Sequence, residues 1–278
     1  MFQYSRPLKK PFFSRRLVQL GFLLLFIAGG VFFFWGGSIR MPDFSSFETR
    51  KVQSSTKIYD RTGKILLYDV HGNIRRTVIA DSDMGVNIKN ATVAIEDSEF
   101  YQHRGIKITS IIRSVLVNIL APFTGGNYQG GSTITQQVIK NALLTSDRSI
   151  TRKIKEWILA VKLEQIMGKD DILALYLNEA PYGGNIYGIA EASRTFLGKE
   201  PRDLTLAEAA YLAALPQAPT HYSPYGNNRK GLDGREQLVL KRMNELKFIS
   251  DDERKNALAE QVAFLPSTVD GALAMHFV

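Results

Sequence analysis

The sequence predicts a mainly α-helical protein in which one membrane-spanning helix and a small β meander precede the helical domain. Three observations lead to this prediction: an apolar run near the N-terminus, three short strand-like segments after it, and helical patterns from Asn87 onward without a further convincing strand. The chain has 278 residues, of which 45% are hydrophobic and 22% charged, and this suits one large domain or two small ones with a sizeable core.

Most of the positive net charge lies in the N-terminal tail. Residues 1–16 carry five cations and no acid, so the remaining 262 residues contribute only +3 of the total of +8. A nucleic-acid-binding face would need cations throughout a folded domain, and we therefore predict no nucleic-acid partner. Cysteine is absent, which excludes disulfide bonds and thiolate metal sites but does not select a compartment.

The apolar run Leu17–Trp35 is long enough to cross a membrane. Its nineteen residues contain one strongly polar side chain, Gln19, and match a hydrocarbon core of about 30 Å. A buried soluble helix is disfavoured because the run is apolar on all faces and has cations on one flank only. A cleaved signal peptide would have a shorter apolar region with a clear cleavage site. Because cations precede the run, we predict a basic cytoplasmic tail over residues 1–16, an uncleaved anchor over residues 17–36, and an exported remainder.

Three strand-like segments predict a meander just outside the membrane, within a connector over residues 37–86. They cover residues 56–60, 64–70 and 74–79, and turn residues separate them. Ser54 and Lys57 match the Ser-x-x-Lys pattern of penicillin-reactive enzymes. The chain has no Lys-Thr-Gly, and the serine would lie at a strand edge, so no reactive serine is predicted here.

The stretch Ala94–Gly105 contains the first candidate site. If it is one helix, Glu96, Phe100 and His103 fall at i, i+4 and i+7 on one face, and Gly105 ends the helix. A carboxylate, an aromatic ring and an imidazole on one face would suit proton transfer, although an acid near a helix end is commonly only solvated.

The next segment, residues 106–120, is apolar but too short to span a bilayer. Lys107 and Arg113 interrupt it. It would suit either a buried core helix or a helix that dips into the membrane. The anchor already holds the domain at the surface and favours the second interpretation, so we predict a membrane-dipping region at about residues 106–130.

A second candidate site follows the glycine-rich residues 125–131. The Gly-Lys-Ser/Thr ending of a phosphate-binding P-loop is missing there, and a flexible loop would explain the glycines equally well. A helix start next to the loop would offer free backbone N–H groups to an anion or a sugar. Six polar side chains occupy nine positions at this start, namely Ser132, Thr133, Thr135, Gln136, Gln137 and Lys140.

Further helices are predicted over residues 150–167, 169–178, 205–215 and 233–261. The first has Arg152 and Lys153 at ion-pair spacing from Glu156, a pattern that a solvated surface ladder would also produce. The second has acids in its first turn, as the helix dipole prefers. The third opens with a capping box, Thr205 and Glu208.

Taken in order, these segments resemble the five motifs of the peptidoglycan glycosyltransferase family (glycosyltransferase family 51), the polymerase module of class A penicillin-binding proteins. The resemblance covers about residues 50–230 and the anchor, and five motifs in register are far more specific than any one of them. The matching stretches are Glu96-Asp-x-x-Phe-x-x-His-x-Gly105, Gly131-Ser-Thr-x-Thr-Gln-Gln137, Arg152-Lys-x-x-Glu156, Lys169-x-x-Ile-Leu-x-x-Tyr-Leu-Asn178, and Leu206-Ala-Glu-Ala-Ala with Pro216-Gln-Ala-Pro219.

The resemblance implies a lysozyme-like helical fold with a large lobe and a smaller membrane-dipping jaw. The glycosyltransferase domain is then expected over residues 87–250. Residues 251–278 are expected to begin a linker toward a transpeptidase domain that this sequence lacks, whether by truncation or naturally. Membrane lipids and cell-wall assembly proteins are the expected partners, on the outer face of the cytoplasmic membrane.

The implied reaction joins the growing glycan, as donor, to the 4-hydroxyl of lipid II, a disaccharide-pentapeptide on undecaprenyl diphosphate. A β-1,4 bond forms with inversion. An attacking alcohol needs a base, for which Glu96 is the candidate. The departing diphosphate needs positive charge, which Lys140, Arg152 and Lys153 can supply. Glu156 is the second catalytic candidate, either orienting those cations or stabilising oxocarbenium-like charge.

The remaining expected site residues would bind substrate. Asp97 has two open roles: holding the surroundings of Glu96, or binding Mg²⁺ or Mn²⁺, which some family members favour. No organic cofactor is expected. The expected substrate-binding set is Asp97, Phe100, His103, Ser132, Thr133, Thr135, Gln136, Gln137, Lys140, Arg152, Lys153, Tyr176 and Asn178.

Two other functions fit parts of the pattern. A lysozyme-like muramidase or lytic transglycosylase would also use two acidic residues. A non-catalytic scaffold for cell-wall assembly would use the anchor alone. The clustered cations favour a lipid diphosphate substrate over the first, and Glu96 together with the polar second motif argues against the second.

Overall fold

A computed structural model describes residues 15–39, 57–59, 66–69, 76–114, 117, 131–143 and 149–266. The chain divides into two compact units, Met1–Met41 and Pro42–Val278. The prediction of a mainly α-helical protein is confirmed, because the described strands have only two to four residues each. The predicted basic tail, most of the connector and the glycine-rich loop lie outside the described residues.

The first unit contains helix α1, Arg15–Ser38. Residues Val18–Ser38 have a mean hydropathy of 2.1, which together with their length is sufficient to cross a membrane. Large apolar side chains on this helix are exposed, including Phe26 at 81% and Phe34 at 82%. This exposure fits a helix that is solvated by lipid.

The second unit begins with an antiparallel hairpin of β1, Lys57–Tyr59, and β2, Leu66–Asp69. These are two of the three strands of the predicted meander. The third prediction was wrong over residues 76–79, which form no strand. The physical reason is that the Asn178 side chain pairs with the backbone of Ile79, a contact here called the clamp. The Ile79 N–H donates to Oδ1 of Asn178 at 3.1 Å, and the Ile79 carbonyl accepts from Nδ2 of Asn178 at 3.0 Å. The backbone groups that a strand would pair are therefore already used.

The rest of this unit is mostly helical, with two short 3-10 turns at Asp81–Asp83 and Pro201–Asp203. The prediction of no further strand after the meander was wrong, because β3, Pro181–Gly183, and β4, Ile186–Tyr187, form a second small hairpin. The helices are α2 Val86–Glu96, α3 at residues 108–114, α4 Ile134–Leu143, α5 Ile150–Ile166, α6 Lys169–Glu179, α7 Ile189–Leu197, α8 Leu206–Ala214, α9 Arg229–Glu245 and α10 Asp251–Ala259.

Two groups of helices make the core. Helix α2 packs against α8 and α9, and α4 packs against α5 and α6. Helix α8 carries five buried alanines, whose small side chains allow neighbouring helices to approach closely. The predicted capping box is present: Oγ1 of Thr205 accepts from the Glu208 N–H, and the Glu208 carboxylate accepts from the Thr205 N–H. The two groups meet at the C-terminal end of α2, where Glu96 lies.

The end of the described chain also packs on this body. Helix α10 contacts α8 and α9. The residues after it run back over the domain, where Leu265 donates its N–H to the Phe196 carbonyl at 2.8 Å. The expected boundary between domain and linker, at residues 250 and 251, therefore falls before a helix that is packed with the others.

Candidate active site

Glu96 is the last residue of α2, and its two carboxylate oxygens have different surroundings. Oε2 accepts a hydrogen bond from Nε2 of Gln137, on α4, at 2.7 Å. Oε1 lies 3.9 Å from Nη2 of Arg235, on α9, and has no hydrogen-bond partner among the described residues. The side chain is 12% exposed. One oxygen is thus held in place, while the other is buried without a hydrogen-bond partner among the described residues.

Burial raises the pKa of Glu96 above its ordinary value. The hydrogen bond from Gln137 and the charges of Arg235 and Lys140 oppose the rise, and the charge of Asp97 adds to it. The position at a helix C-terminus, the negative end of the helix dipole, also disfavours a carboxylate. A carboxylate held in such a place is a stronger proton acceptor than a solvated one.

Two buried tyrosines lie near the Glu96 carboxylate. Tyr176 on α6 and Tyr182 on β3 are each 1% exposed. Burial and the nearby charge of Glu96 raise the pKa of both hydroxyls, so both stay neutral. Tyr176 was expected to bind substrate, but its ring lies inside the core, where it packs near Glu96 without an open face.

The helix predicted over Ala94–Gly105 ends at Glu96, so the expectation that Glu96, Phe100 and His103 share a helix face was wrong. Asp97 is the C-terminal cap of α2. Its Oδ2 accepts from the Ile134 N–H at 3.1 Å and hydrogen-bonds Nε2 of His103 at 2.8 Å. Asp97 therefore caps the N-terminus of α4 and fixes the helix that brings Gln137 to Glu96.

The turn after Asp97 depends on Gly105. This glycine has φ +84°, and a Cβ there would lie 2.6 Å from the Ala160 carbonyl oxygen on α5. Phe100, in the same turn, is 0% exposed, and the Lys169 ammonium lies 4.4 Å from its ring centroid. Phe100 packs the core in this conformation, and the expected contact of its ring with substrate does not fit.

The residues near Glu96 do not fit a magnesium or manganese site. The described part of the chain contains no group of three or more histidine or acidic side chains that could hold a metal ion. Oδ2 of Asp97, the tentative ligand, is already bonded to Ile134 and His103.

The second motif turns three of its polar side chains inward. Thr133 donates to the Gly105 carbonyl at 2.7 Å and accepts from the Gln136 N–H at 3.2 Å. Thr135 donates to Oε1 of Glu164 at 2.6 Å, and Gln136 is 0% exposed. Because Asp97 and Thr133 cap the start of α4, this start does not offer the open anion site that was expected. Ser132, Gln137 and Lys140 remain at the candidate site.

The third motif forms an ion pair whose acidic partner is buried. Glu156 on α5 is 1% exposed, and its Oε1 accepts a hydrogen bond from Nζ of Lys153. The same ammonium donates to Oγ of Ser132 at 2.8 Å. Glu156 is therefore no member of a solvated surface ladder. It holds Lys153 against the second motif, next to the half-buried Arg152.

Two residues of the fourth motif that were predicted to bind substrate are buried and make structural contacts. Tyr176 is buried, as described above. Asn178 is 5% exposed, and its amide is fully engaged in the clamp on Ile79. The fourth motif thus packs near Glu96 and holds the segment at Ile79 that precedes α2.

Arg235 is the site residue that the sequence did not reveal. Its Nε donates to the Ala214 carbonyl at 3.0 Å, and its guanidinium lies 5.5 Å from the Tyr222 ring centroid. These contacts aim it at Glu96 although its side chain is only 11% exposed. Its surroundings in the sequence are charged and show no motif, so only long-range packing of α9 on α2 could identify it.

Comparison with known proteins shows which family the chain belongs to. Residues 64–244 match the sequence profile of the family described as Transglycosylase. The chain belongs to the transglycosylase family. This match supports a peptidoglycan glycosyltransferase enzyme.

Several curated relatives carry the description penicillin-binding protein 1A. The one from Neisseria lactamica is 39% identical over 81% of this chain, the one from Rickettsia bellii 36% over 90%, and the one from Clostridium perfringens 43% over 70%. The chain spans only 27% to 31% of the length of these relatives. A solved structure of penicillin-binding protein 1A from Haemophilus influenzae covers 77% of this chain at 25% identity, with a TM-score of 0.43.

Proposed function

We propose that this chain polymerises lipid II into β-1,4-linked glycan strands and releases undecaprenyl diphosphate, with Glu96 as the general base. The observation that carries the proposal is the Glu96 carboxylate, which Gln137 holds by one oxygen while burial makes it more basic. Membership in the transglycosylase family supports the reaction class.

The proposed step moves one proton and exchanges one bond. The 4-hydroxyl of the acceptor gives its proton to the Glu96 carboxylate and attacks the anomeric carbon of the donor glycan. The bond from that carbon to the diphosphate oxygen breaks, and the diphosphate leaves with the electron pair. A leaving diphosphate needs no proton, so one base is sufficient.

The charge of the leaving diphosphate is balanced by Lys140, Arg152 and Lys153. Lys153 is held by Glu156 and Ser132, and a cation already fixed in position costs no reorganisation when charge develops. Glu156 then acts by orienting Lys153. This role also argues against a hydrolase with two catalytic carboxylates, because the second carboxylate is occupied by an ammonium group.

We also propose that α3 contacts the membrane. Ile108 and Ile112 are 64% and 55% exposed, while Ser110 between them is 7% exposed. A helix that buries Ser110 and exposes Ile108 and Ile112 suits lipid better than water. Together with α1, whose preceding cations favour a cytoplasmic N-terminus, this contact would bring the site to a lipid-linked substrate.

Flotation with liposomes tests the membrane contact. The chain without residues 1–49 should float, and the double change Ile108→Ser and Ile112→Ser should leave it in the soluble fraction. Leu258→Ser, at a residue of α10 that is 42% exposed, is the matched control and should still float. A protein without residues 1–49 that never floats would contradict the contact.

Purified lipid II tests the reaction itself. The full chain should give a ladder of glycan strands on a gel, and Glu96→Gln should give none. Incubation with finished peptidoglycan should release no fragments. Release of muropeptides from finished peptidoglycan, without polymerisation of lipid II, would instead establish the hydrolase.

A further inference from the structure

Residues 260–265, here called the strap, run from α10 back across the helical body. Oε1 of Glu260 accepts a hydrogen bond from Oγ1 of Thr205 at 2.7 Å. At the other end, the Leu265 N–H donates to the Phe196 carbonyl at 2.8 Å. The ring of Phe264 lies between these two attachments and meets the Tyr211 ring edge-on, with 5.4 Å between centroids.

Phe264 also touches the beginning of α9. The guanidinium of Arg229, the first residue of α9, lies 4.7 Å from the Phe264 ring centroid and 5.2 Å from that of Tyr211. Arg229 Nε and the Tyr211 hydroxyl both donate to Oδ1 of Asp233, at 2.8 Å and 2.9 Å. A cation among two rings and a carboxylate joins the strap, α8 and α9 at this point.

The beginning of α9 is intrinsically weak. Gly231 and Gly234 fall in its first two turns, and glycine disfavours a helix because it loses the most backbone freedom. The N-terminal cap is also incomplete, because the Asn228 side chain makes no capping hydrogen bond and contacts His221 instead. This turn therefore depends on tertiary contacts such as those of Phe264 and Tyr211.

Arg235 follows Gly234 directly, and it is the α9 residue that faces Glu96. We propose that the strap is a positioning device for the base: Phe264, through Arg229, holds the weak start of α9 so that Arg235 stays against Glu96. This inference rests on the proposed function in one respect, the role of Glu96 as base. Phe264 and Arg229 are positioning residues, since neither touches Glu96.

The first experiment compares Phe264→Ala with wild type in the full chain. The maximal rate of lipid II polymerisation at pH 6 should fall about two- to fivefold, no more than for Arg235→Gln, because Phe264 acts through Arg235. KM should change less than twofold, since the substrate contacts are untouched. Amide hydrogen exchange should accelerate over residues 229–236. Leu238→Ala is the control, at a residue of α9 that is 38% exposed. It should change neither the rate of polymerisation nor the hydrogen exchange of residues 229–236.

Two further variants distinguish positioning from loss of stability. Gly234→Ala should restore the rate of Phe264→Ala, because it strengthens the helix and its added Cβ meets nothing within 4 Å. In an Arg235→Gln background, Phe264→Ala should cause no further loss of rate. A loss that Gly234→Ala does not repair, or that adds in full to Arg235→Gln, would overturn the proposal.

The exchange measurement separates this proposal from the proposed function. If wild type failed to polymerise lipid II, the proposed function would fail, while faster exchange at residues 229–236 in Phe264→Ala and its reversal by Gly234→Ala would still support the holding of α9. If wild type were active and Phe264→Ala altered neither exchange nor rate, the strap proposal would fail alone.

Discussion

Glu96 and Glu156 are both carboxylates removed from bulk water, but they have different partners. Glu96 accepts from a neutral amide, and its nearest cation, Arg235, stands 3.9 Å away. Glu156 contacts the Lys153 ammonium directly. An amide leaves a carboxylate free to take a proton, whereas an ammonium group occupies it. The difference assigns proton transfer to Glu96 and the positioning of a cation to Glu156.

Replacing Glu96 should have the largest effect on the rate of polymerisation. Glu96→Gln should lower lipid II polymerisation by about 10²- to 10⁴-fold, the usual loss for a positioned base. Circular dichroism should be unchanged, because glutamine keeps the shape and can still pair with Gln137. A Glu96→Gln protein that keeps activity within a few-fold of wild type would remove Glu96 from the mechanism.

Removing the cations should have the next largest effect. Lys140→Ala, Arg152→Ala and Lys153→Ala should each lower the rate by about 10- to 100-fold, because each would take charge from the leaving diphosphate. Glu156→Gln should resemble Lys153→Ala, and the double variant should be no worse than either single one. Normal polymerisation by all four variants would show that these groups are only structural.

Arg235 offers a smaller test that is specific to Glu96. Its positive charge lowers the pKa of Glu96, so Arg235→Gln should raise that pKa. The base must be ionised to work, and the rate should therefore begin to fall at a higher pH as the solution is acidified. We expect a loss of about fivefold at pH 6 and a smaller loss at pH 8. Equal losses at both pH values would argue against an electrostatic role of Arg235.

The smallest expected effect concerns stability and not catalysis, and it involves the carboxyl group of Glu236. Burial and the charge of Asp233 raise its pKa to about 7, above the ordinary value of 4.5. The stability linked to its protonated form is complete below pH 4.5 and is lost as the pH rises through 7. Glu236→Gln should therefore raise the melting temperature by about 2–4 °C at pH 8 and have little effect at pH 4.5. An increase at pH 4.5 as large as that at pH 8 would mean that ionisation is not the cause.

The comparison also shows which parts could be predicted from the sequence. The anchor-length helix and the Thr205 capping box follow from local patterns, and the structure contains both. The five motifs, taken in order, led to the family that the profile match shows. Within those segments, the sequence could not separate residues that face the site from residues that support it.

The errors have one physical origin, the burial of polar groups by long-range packing. Thr135 and Gln136 point inward because Glu164 and Gly105 pair with them across the fold. Asp97 caps the start of α4, since the chain turns at the end of α2. Arg235 reaches Glu96 only because α9 packs on α2, and no pattern near residue 235 indicates that contact.

The pH–rate profile of lipid II polymerisation, measured for wild type and for Glu156→Gln, tests the central claim most directly. If Glu96 is the base and Glu156 only orients Lys153, the rate should fall on acidification through one ionisation, and Glu156→Gln should lower the whole profile while keeping that fall. A Glu156→Gln protein whose rate no longer falls in acid would show that Glu156 is itself the ionising catalyst, and would contradict the division of roles between the two carboxylates.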